Sequence, residues 1–110
     1  MFNLTIHKWI GDREEAMTLL DTHLAWMRDQ QRSGTIIAAG PTVDRELGII
    51  LLRHMSRDEV DAIFNTDPFV VGGYRSYEVI AWDAHHVLGI GGFDTKSVTA
   101  MVEADEAADS

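Results

Sequence analysis

The sequence contains no cysteine among its 110 residues. Disulfide bonds, cysteine nucleophiles and thiolate-bound metals are therefore excluded. It also lacks any run of about 18 consecutive apolar residues, the length that a membrane-spanning helix needs. The first residues, Met1 to Ile6, have neither the basic region nor the long apolar stretch of a secretory signal, so we expect a cytoplasmic protein.

Basic residues are scarce. Nine Lys and Arg side chains stand against 18 Asp and Glu, which gives a formal net charge of −9. Proteins that bind nucleic acid neutralise phosphates with a surplus of Lys and Arg, and anionic membrane surfaces attract the same surplus. We therefore expect neither nucleic acid nor a membrane as a partner.

Apolar residues make up 45% of the chain, and its length of 110 residues is typical of a single domain with one core. Alternating strands and capped helices follow one another along its first three quarters. In chain order the pattern predicts a strand over 2–10, a single helix over 13–32, a hairpin of strands over 35–39 and 48–53, a short helix capped by Ser56, a helical turn opened by Pro68 and a strand over 74–83.

The predicted order is β-α-β-β-α-β, which is typical of the ferredoxin-like α+β fold. In that fold two helices cover one face of a four-stranded antiparallel sheet and leave the other face bare. We expect Trp9, Tyr77 and the apolar residues of the hairpin on the bare face. A bare apolar face usually finds a partner, so we expect a homodimer or a higher even-numbered oligomer.

Residues 84–110 form a C-terminal extension outside the predicted domain of residues 1–83. A loop, a helix from Thr95 to Ala107 and a frayed acidic end are expected there. His85 and His86 are adjacent and would point to opposite faces of a strand, so we expect no metal site. The segment Gly89 to Gly92 lacks the Lys and Ser or Thr of a phosphate-binding loop.

Three short motifs occur in a recognisable order. HLAWM, from His23 to Met27, lies in the first helix; AGP, ending at Pro41, closes the second strand; and DPFV, from Asp67 to Val70, follows the second helix. On this element order the three motifs resemble those of the YciI-like (YCII-related) family over residues 2–83. The resemblance implies a ferredoxin-like unit that dimerises sheet to sheet into an α+β barrel.

The resemblance also implies a site in which the helix-borne His23 pairs with Asp67. One branch of the family eliminates chloride from a chlorinated hydroxyhydroquinone, and structural relatives include muconolactone isomerases and cofactor-free monooxygenases. The extension of 27 residues, 84–110, departs from the family pattern and leaves the substrate class open.

The residues themselves leave two roles open for each member of this pair. His23 lies beside the apolar stripe of its helix, where it can be a general acid or base, or a buried histidine with one hydrogen-bond partner. Asp67 can cap the turn that Pro68 opens, or accept the ring N–H of His23. A carboxylate has two oxygens, so the two roles of Asp67 are compatible.

A pocket for a flat substrate is expected around the pair. Trp9, Trp26, Phe69 and Tyr74 would hold an apolar ring, with ordinary core packing as the alternative for each. Arg75 is expected to bind a substrate carboxylate, unless it is a solvated arginine at a strand start. Gly40 and Pro41 complete the expected substrate contacts.

A His–Asp pair without a nucleophile suits proton transfer. We therefore expect a cofactor-independent lyase or isomerase, dehydrochlorinase-like or muconolactone-isomerase-like, that acts on a small cyclic or aromatic metabolite. A non-catalytic ligand-binding or accessory dimer module is the first alternative, and a cofactor-free monooxygenase is the second. No metal or cofactor is expected in any of the three.

Overall fold

The computed structural model describes residues 1–84, 86 and 87. In chain order the elements are β1 (Phe2–Trp9), α1 (Arg13–Met17), α2 (Leu20–Arg32), β2 (Ile36–Pro41), β3 (Leu47–Arg53), α3 (Arg57–Phe64), α4 (Pro68–Val71) and β4 (Arg75–Trp82). The expected loop at Gly89, the helix from Thr95 and the residue His85 lie outside the described residues. No described helix has the length and apolar character needed to cross a membrane.

The four strands form one antiparallel sheet in the order β2-β3-β1-β4. β1 lies in the middle, where His7 pairs with Gly48 of β3 on one side and with Tyr77 of β4 on the other. The helices lie between the strands along the chain, so the order and pairing confirm the ferredoxin-like α+β fold.

The side of the sheet that the helices cover carries the core. It is built from Ile36, Ile50 and Leu52 of the sheet, from Val60 and Phe64 of α3, from Trp26 of α2 and from Met55. Leu52, Val60 and Phe64 have no exposed surface. Ser56 caps α3 by accepting the N–H of Glu59, so the start of this helix follows the capping signal in the sequence.

β1 turns its polar half toward the helices. Asn3, Thr5 and His7 are buried on the covered side, while Phe2, Leu4 and Ile6 lie on the other side and keep part of their surface exposed. Two of these polar side chains donate hydrogen bonds to backbone carbonyls: Asn3 to that of Met55, and Thr5 to that of Ile50. The burial of Asn3 and Thr5 is therefore compensated by hydrogen bonds.

The single helix expected over residues 13–32 is divided into α1 and α2 at Thr18 and Leu19. The N–H groups of both residues bond carbonyls three positions back, at Glu15 and Ala16, and the Thr18 hydroxyl also donates to the Glu15 carbonyl. A side chain that occupies the backbone carbonyl in this way competes with the α-helical bond. The expected continuous helix was therefore wrong at this point.

The expected positions of Trp9 and Tyr77 on the bare face were also wrong. Both lie on the side that the helices cover, because Tyr77 pairs with buried His7 and Trp9 has the same parity in β1. Tyr77 packs on Phe64 and donates its hydroxyl to Asp61 of α3. Burial and this bond raise the pKa of Tyr77 to about 12.

Phe64 is the residue whose loss should damage this core most. It contacts the rings of His7, Trp26 and Tyr77, so the variant Phe64→Ala leaves a cavity where three rings met. We expect a loss of about 3–5 kcal/mol in the free energy of unfolding. Urea denaturation measures it, with Val71→Ala, at a site 66% exposed, as a control that should change stability by no more than about 0.5 kcal/mol. Equal effects of the two substitutions would contradict this description of the core.

Candidate functional site

His23 lies on α2 with its ring against the core and 5% of its surface exposed. The ring stacks on Phe69 at 4.1 Å between centroids with an interplanar angle of 22°. Trp26, one turn along the same helix, stacks on it at 5.9 Å. Aromatic neighbours on two sides hold the imidazole plane in one orientation.

Asp67 is fully buried and stands at the N-cap of α4. Its Oδ1 atom lies 2.7 Å from Nδ1 of His23 and 3.1 Å from the backbone nitrogen of Phe69. Both roles expected for Asp67, the helix cap and the partner of His23, are therefore present. They fall on one oxygen rather than on two, because Oδ2 is buried and has no partner among the described residues.

The pairing with Asp67 decides which nitrogen of His23 is free. A carboxylate only accepts hydrogen bonds, so Nδ1 of His23 carries the hydrogen and donates it. In the neutral imidazole Nε2 is then the nitrogen with the lone pair. His23 thus has a basic nitrogen that Asp67 does not occupy.

That nitrogen belongs to a side chain that lines a pocket of about 360 Å³ between α2 and the sheet. Most of the lining is apolar and comes from both layers: Trp9, Met17, Leu20, Leu24, Met27, Ala39, Gly40, Pro41, Gly48, Ile49, Ile50 and Phe69, together with polar His23, Gln31 and Arg75. An apolar cavity of this size with few polar groups is the usual form of a small-molecule site.

Arg75 enters the pocket from the start of β4. Its guanidinium carbon lies 4.4 Å from the ring centroid of Trp9 and 4.9 Å from that of Phe69. Trp9 itself meets Phe69 edge to face at 5.2 Å. Burial lowers the pKa of Arg75 from its ordinary value, and the charge of nearby Asp67 partly opposes this shift. The side chain is therefore packed against aromatic rings and is not a solvated arginine at a strand start.

The residues expected in the site fall into two groups. The first group lines this pocket and consists of His23, Trp9, Gly40, Pro41, Phe69 and Arg75, while Asp67 is hydrogen-bonded to His23. Trp26 and Tyr74 do not line it. Trp26 is in the core and donates its indole N–H to Thr66, and Tyr74 packs against Gly11 and Gly72.

His7 is a further histidine of this region that was not expected near the pair. It is fully buried, and its Nε2 lies 2.9 Å from the Thr5 hydroxyl. That hydroxyl donates to the Ile50 carbonyl, so Nε2 of His7 is the donor and Nδ1 is left without a partner in the described part of the chain. Burial, and after it the charge of Arg75, lowers the pKa of His7 to about 4. The alternation of β1 placed His7 on one side with Thr5 and Trp9, which is the signal that could have found it.

Among residues 1–84, 86 and 87, no three His, Asp or Glu side chains converge as metal ligands would.

Comparison with known proteins connects this geometry to a family. The family model of the YCII-related domain matches residues 1–83. No curated protein matches the chain. Among solved structures, the 5-chloro-2-hydroxyhydroquinone dehydrochlorinase TftG from Burkholderia phenoliruptrix AC1100, in complex with 2,5-dihydroxybenzoquinone, is similar at a TM-score of 0.62 and 23% identity, covering 76% of this chain and 94% of its own. At this identity the likeness shows the fold.

The lowered pKa of His7 should make stability depend on pH. An unfolded histidine has the ordinary pKa of 6.5, so between pH 6.5 and 4 the unfolded chain binds more protons than the folded one. The contribution of His7 to the free energy of unfolding is therefore complete above pH 6.5. It is lost as the pH falls toward 4, and the total loss is about 3 kcal/mol.

Urea denaturation across this pH range, with wild type and His7→Gln, isolates the effect from that of the carboxylates. We expect the variant to have the flatter pH profile, and His54→Gln, which removes an exposed histidine, to follow wild type. Parallel profiles for wild type and His7→Gln would contradict the buried, neutral state of His7.

Proposed function

Because the chain belongs to the YCII-related family and carries a buried His–Asp pair at the wall of a pocket, we propose that it is a cofactor-independent lyase or isomerase of a small cyclic or aromatic metabolite. The observation that carries the proposal is the 2.7 Å contact between Nδ1 of His23 and Oδ1 of Asp67. It leaves Nε2 of a pocket-lining histidine as the base.

The proposed reaction begins with transfer of a proton from an acidic C–H or O–H of the substrate to Nε2 of His23. Asp67 accepts the Nδ1 hydrogen throughout, which fixes the tautomer and stabilises the imidazolium that forms. Since Asp67 has no exposed surface, water does not screen this interaction.

The electron pair released by the departing proton then forms a new double bond in the substrate. In an elimination the leaving group departs with its own bonding pair, and the imidazolium later loses its proton to solvent. In an isomerisation the imidazolium returns the proton to another atom of the ring. Both routes need one group that first accepts and then gives up a proton, which suits a histidine.

A flat ring is the substrate shape that the walls of the pocket favour. Trp9 and Phe69 supply aromatic surface, while Gly40 and Pro41 add lining with little side-chain bulk. The fold neighbour TftG is a dehydrochlorinase bound to a quinone, which supports hydroxylated rings as the first compounds to test.

We also propose a homodimer formed through the uncovered face of the sheet. This face carries Phe2, Leu4, Ile6, Leu47, Ile49, Leu51, Ile80 and Trp82, and the last two are 43% and 45% exposed. An apolar surface that runs across three strands favours burial against an identical copy.

Removal of the base tests the proposed chemistry. We expect wild type to release chloride from 5-chloro-2-hydroxyhydroquinone, or to convert a related hydroxylated ring, under anaerobic conditions and without added cofactor. His23→Gln should lower kcat by about 10²–10⁴-fold, and Asp67→Asn by a similar factor because the tautomer is no longer fixed. His54→Gln, at an exposed position, is the matched control.

Circular dichroism establishes that the variants are folded. Full turnover by a folded His23→Gln variant would overturn the proposal. A ring compound that binds and stays unchanged after long incubation would instead support the non-catalytic module, and a requirement for oxygen would support the monooxygenase.

A charge on the uncovered face tests the dimer. Ile80→Lys should convert a dimer of wild type into a monomer, because each copy would bury an unpaired ammonium group. Val43→Lys, at a fully exposed turn residue, should leave the dimer intact. Sedimentation equilibrium distinguishes these results, and a monomeric wild type at micromolar concentration would refute the dimer.

A further inference from the structure

Arg75 is the only pocket-lining cation among the described residues. It makes no hydrogen bond or ion pair with any residue in the described part of the chain, and its Nε is buried without a partner. The acid that most affects its pKa is Asp67, whose Oδ1 bonds His23 and the α4 cap and whose unpartnered Oδ2 forms no hydrogen bond or ion pair with Arg75. A partly desolvated guanidinium with unused donors is a costly arrangement unless an anion completes it.

The guanidinium is also held in a fixed position. It lies against the rings of Trp9 and Phe69, and below it Gly48 of β3 has no side chain. A methyl group at position 48 would be in van der Waals contact with it, at 3.5 to 3.6 Å from Cζ and both Nη atoms. The planar group therefore lies close to the sheet backbone, pre-organised for bidentate binding of two oxygens.

The cation and the base share one support. The Phe69 ring stacks on His23 at 4.1 Å, and the same ring lies 4.9 Å from the guanidinium carbon of Arg75. The distance from the ring centroid of His23 to the guanidinium carbon of Arg75 therefore cannot exceed the sum of these two distances. A single ring compound can place one oxygen at Arg75 and a reacting C–H or O–H at His23.

We propose that Arg75 is the anion-binding residue of the pocket, so that the substrate is a ring compound with an anionic oxygen, either a carboxylate or an acidified hydroxyl group. This assignment rests on the proposed function, because it names the class of molecule on which His23 acts. An enolate oxygen formed during proton abstraction would benefit from the same cation, which is pre-organised before the charge develops.

Binding measurements separate this assignment from the proposed chemistry. Isothermal titration calorimetry at neutral pH uses three probes that share a six-membered ring: 2,5-dihydroxybenzoquinone, whose hydroxyls are ionised; 2,5-dihydroxybenzoate, with a carboxylate; and neutral hydroquinone. Arg75→Met should weaken binding of an anionic probe by about 10- to 100-fold and that of hydroquinone by less than 3-fold. Arg75→Lys, which keeps the charge and loses the planar fork, should fall between.

Arg13→Met is the matched control, since Arg13 lies 5.4 Å from the Trp9 ring but does not line the pocket. A loss confined to the benzoate identifies a carboxylate, and a loss confined to the quinone identifies an ionised hydroxyl; both sustain the assignment. The assignment would be overturned if, for each of the three probes, wild type and Arg75→Met bound with the same affinity.

His23→Gln completes the design, because it should keep the preference for anions while losing turnover. A dead His23→Gln enzyme combined with no effect of Arg75→Met refutes the anion site alone. Retained turnover in His23→Gln combined with lost anion binding in Arg75→Met refutes the acid-base role alone.

Discussion

The hydrogen bond between His23 and Asp67 joins the long helix α2 to the turn that leads into the last strand. It links residues 44 positions apart, and its carboxylate has no exposed surface. A buried carboxylate is costly unless donors reach it, and here one oxygen receives both the imidazole and the first free N–H of α4. The same atom therefore caps α4, fixes the tautomer of His23 and joins α2 to the start of α4.

Phe69 connects this hydrogen-bonded pair to the other residues of the pocket. It follows Asp67 by two residues, so the cap that positions α4 also sets the ring under His23. Trp9 and Arg75 then contact the same ring from the sheet side. One short segment, Asp67-Pro68-Phe69, thus contacts both His23 and Arg75 and fixes their relative positions. The rest of the pocket needs only apolar surface from α2 and the hairpin.

Sequence predicted the parts of this arrangement that depend on local chemistry. The capping residue Ser56, the Asp67-Pro68 turn and the alternation of β1 are each encoded within a few residues, and each is present. The pairing of His23 with Asp67 came from motif resemblance, since no local rule brings together residues 44 positions apart.

The predictions that were wrong depend on contacts between elements or on side-chain hydrogen bonds. Alternation shows which residues share a side of a strand but not which side the helices cover. In β1 the buried side is the polar one, with Thr5 and His7, so Trp9 and Tyr77 were expected on the wrong face. The break at Thr18 depends on a side chain that competes for a backbone carbonyl, which helical periodicity does not report.

The tautomer of His23 tests the proposed acid-base chemistry most directly, since each step of that reaction needs a lone pair on Nε2. Long-range ¹H–¹⁵N NMR of the ¹⁵N-labelled protein reports the protonation of both ring nitrogens. We expect a protonated Nδ1 and an unprotonated Nε2 in the neutral imidazole, with the tautomeric preference lost in Asp67→Asn. A hydrogen fixed on Nε2, with Nδ1 unprotonated, would contradict His23 as the base.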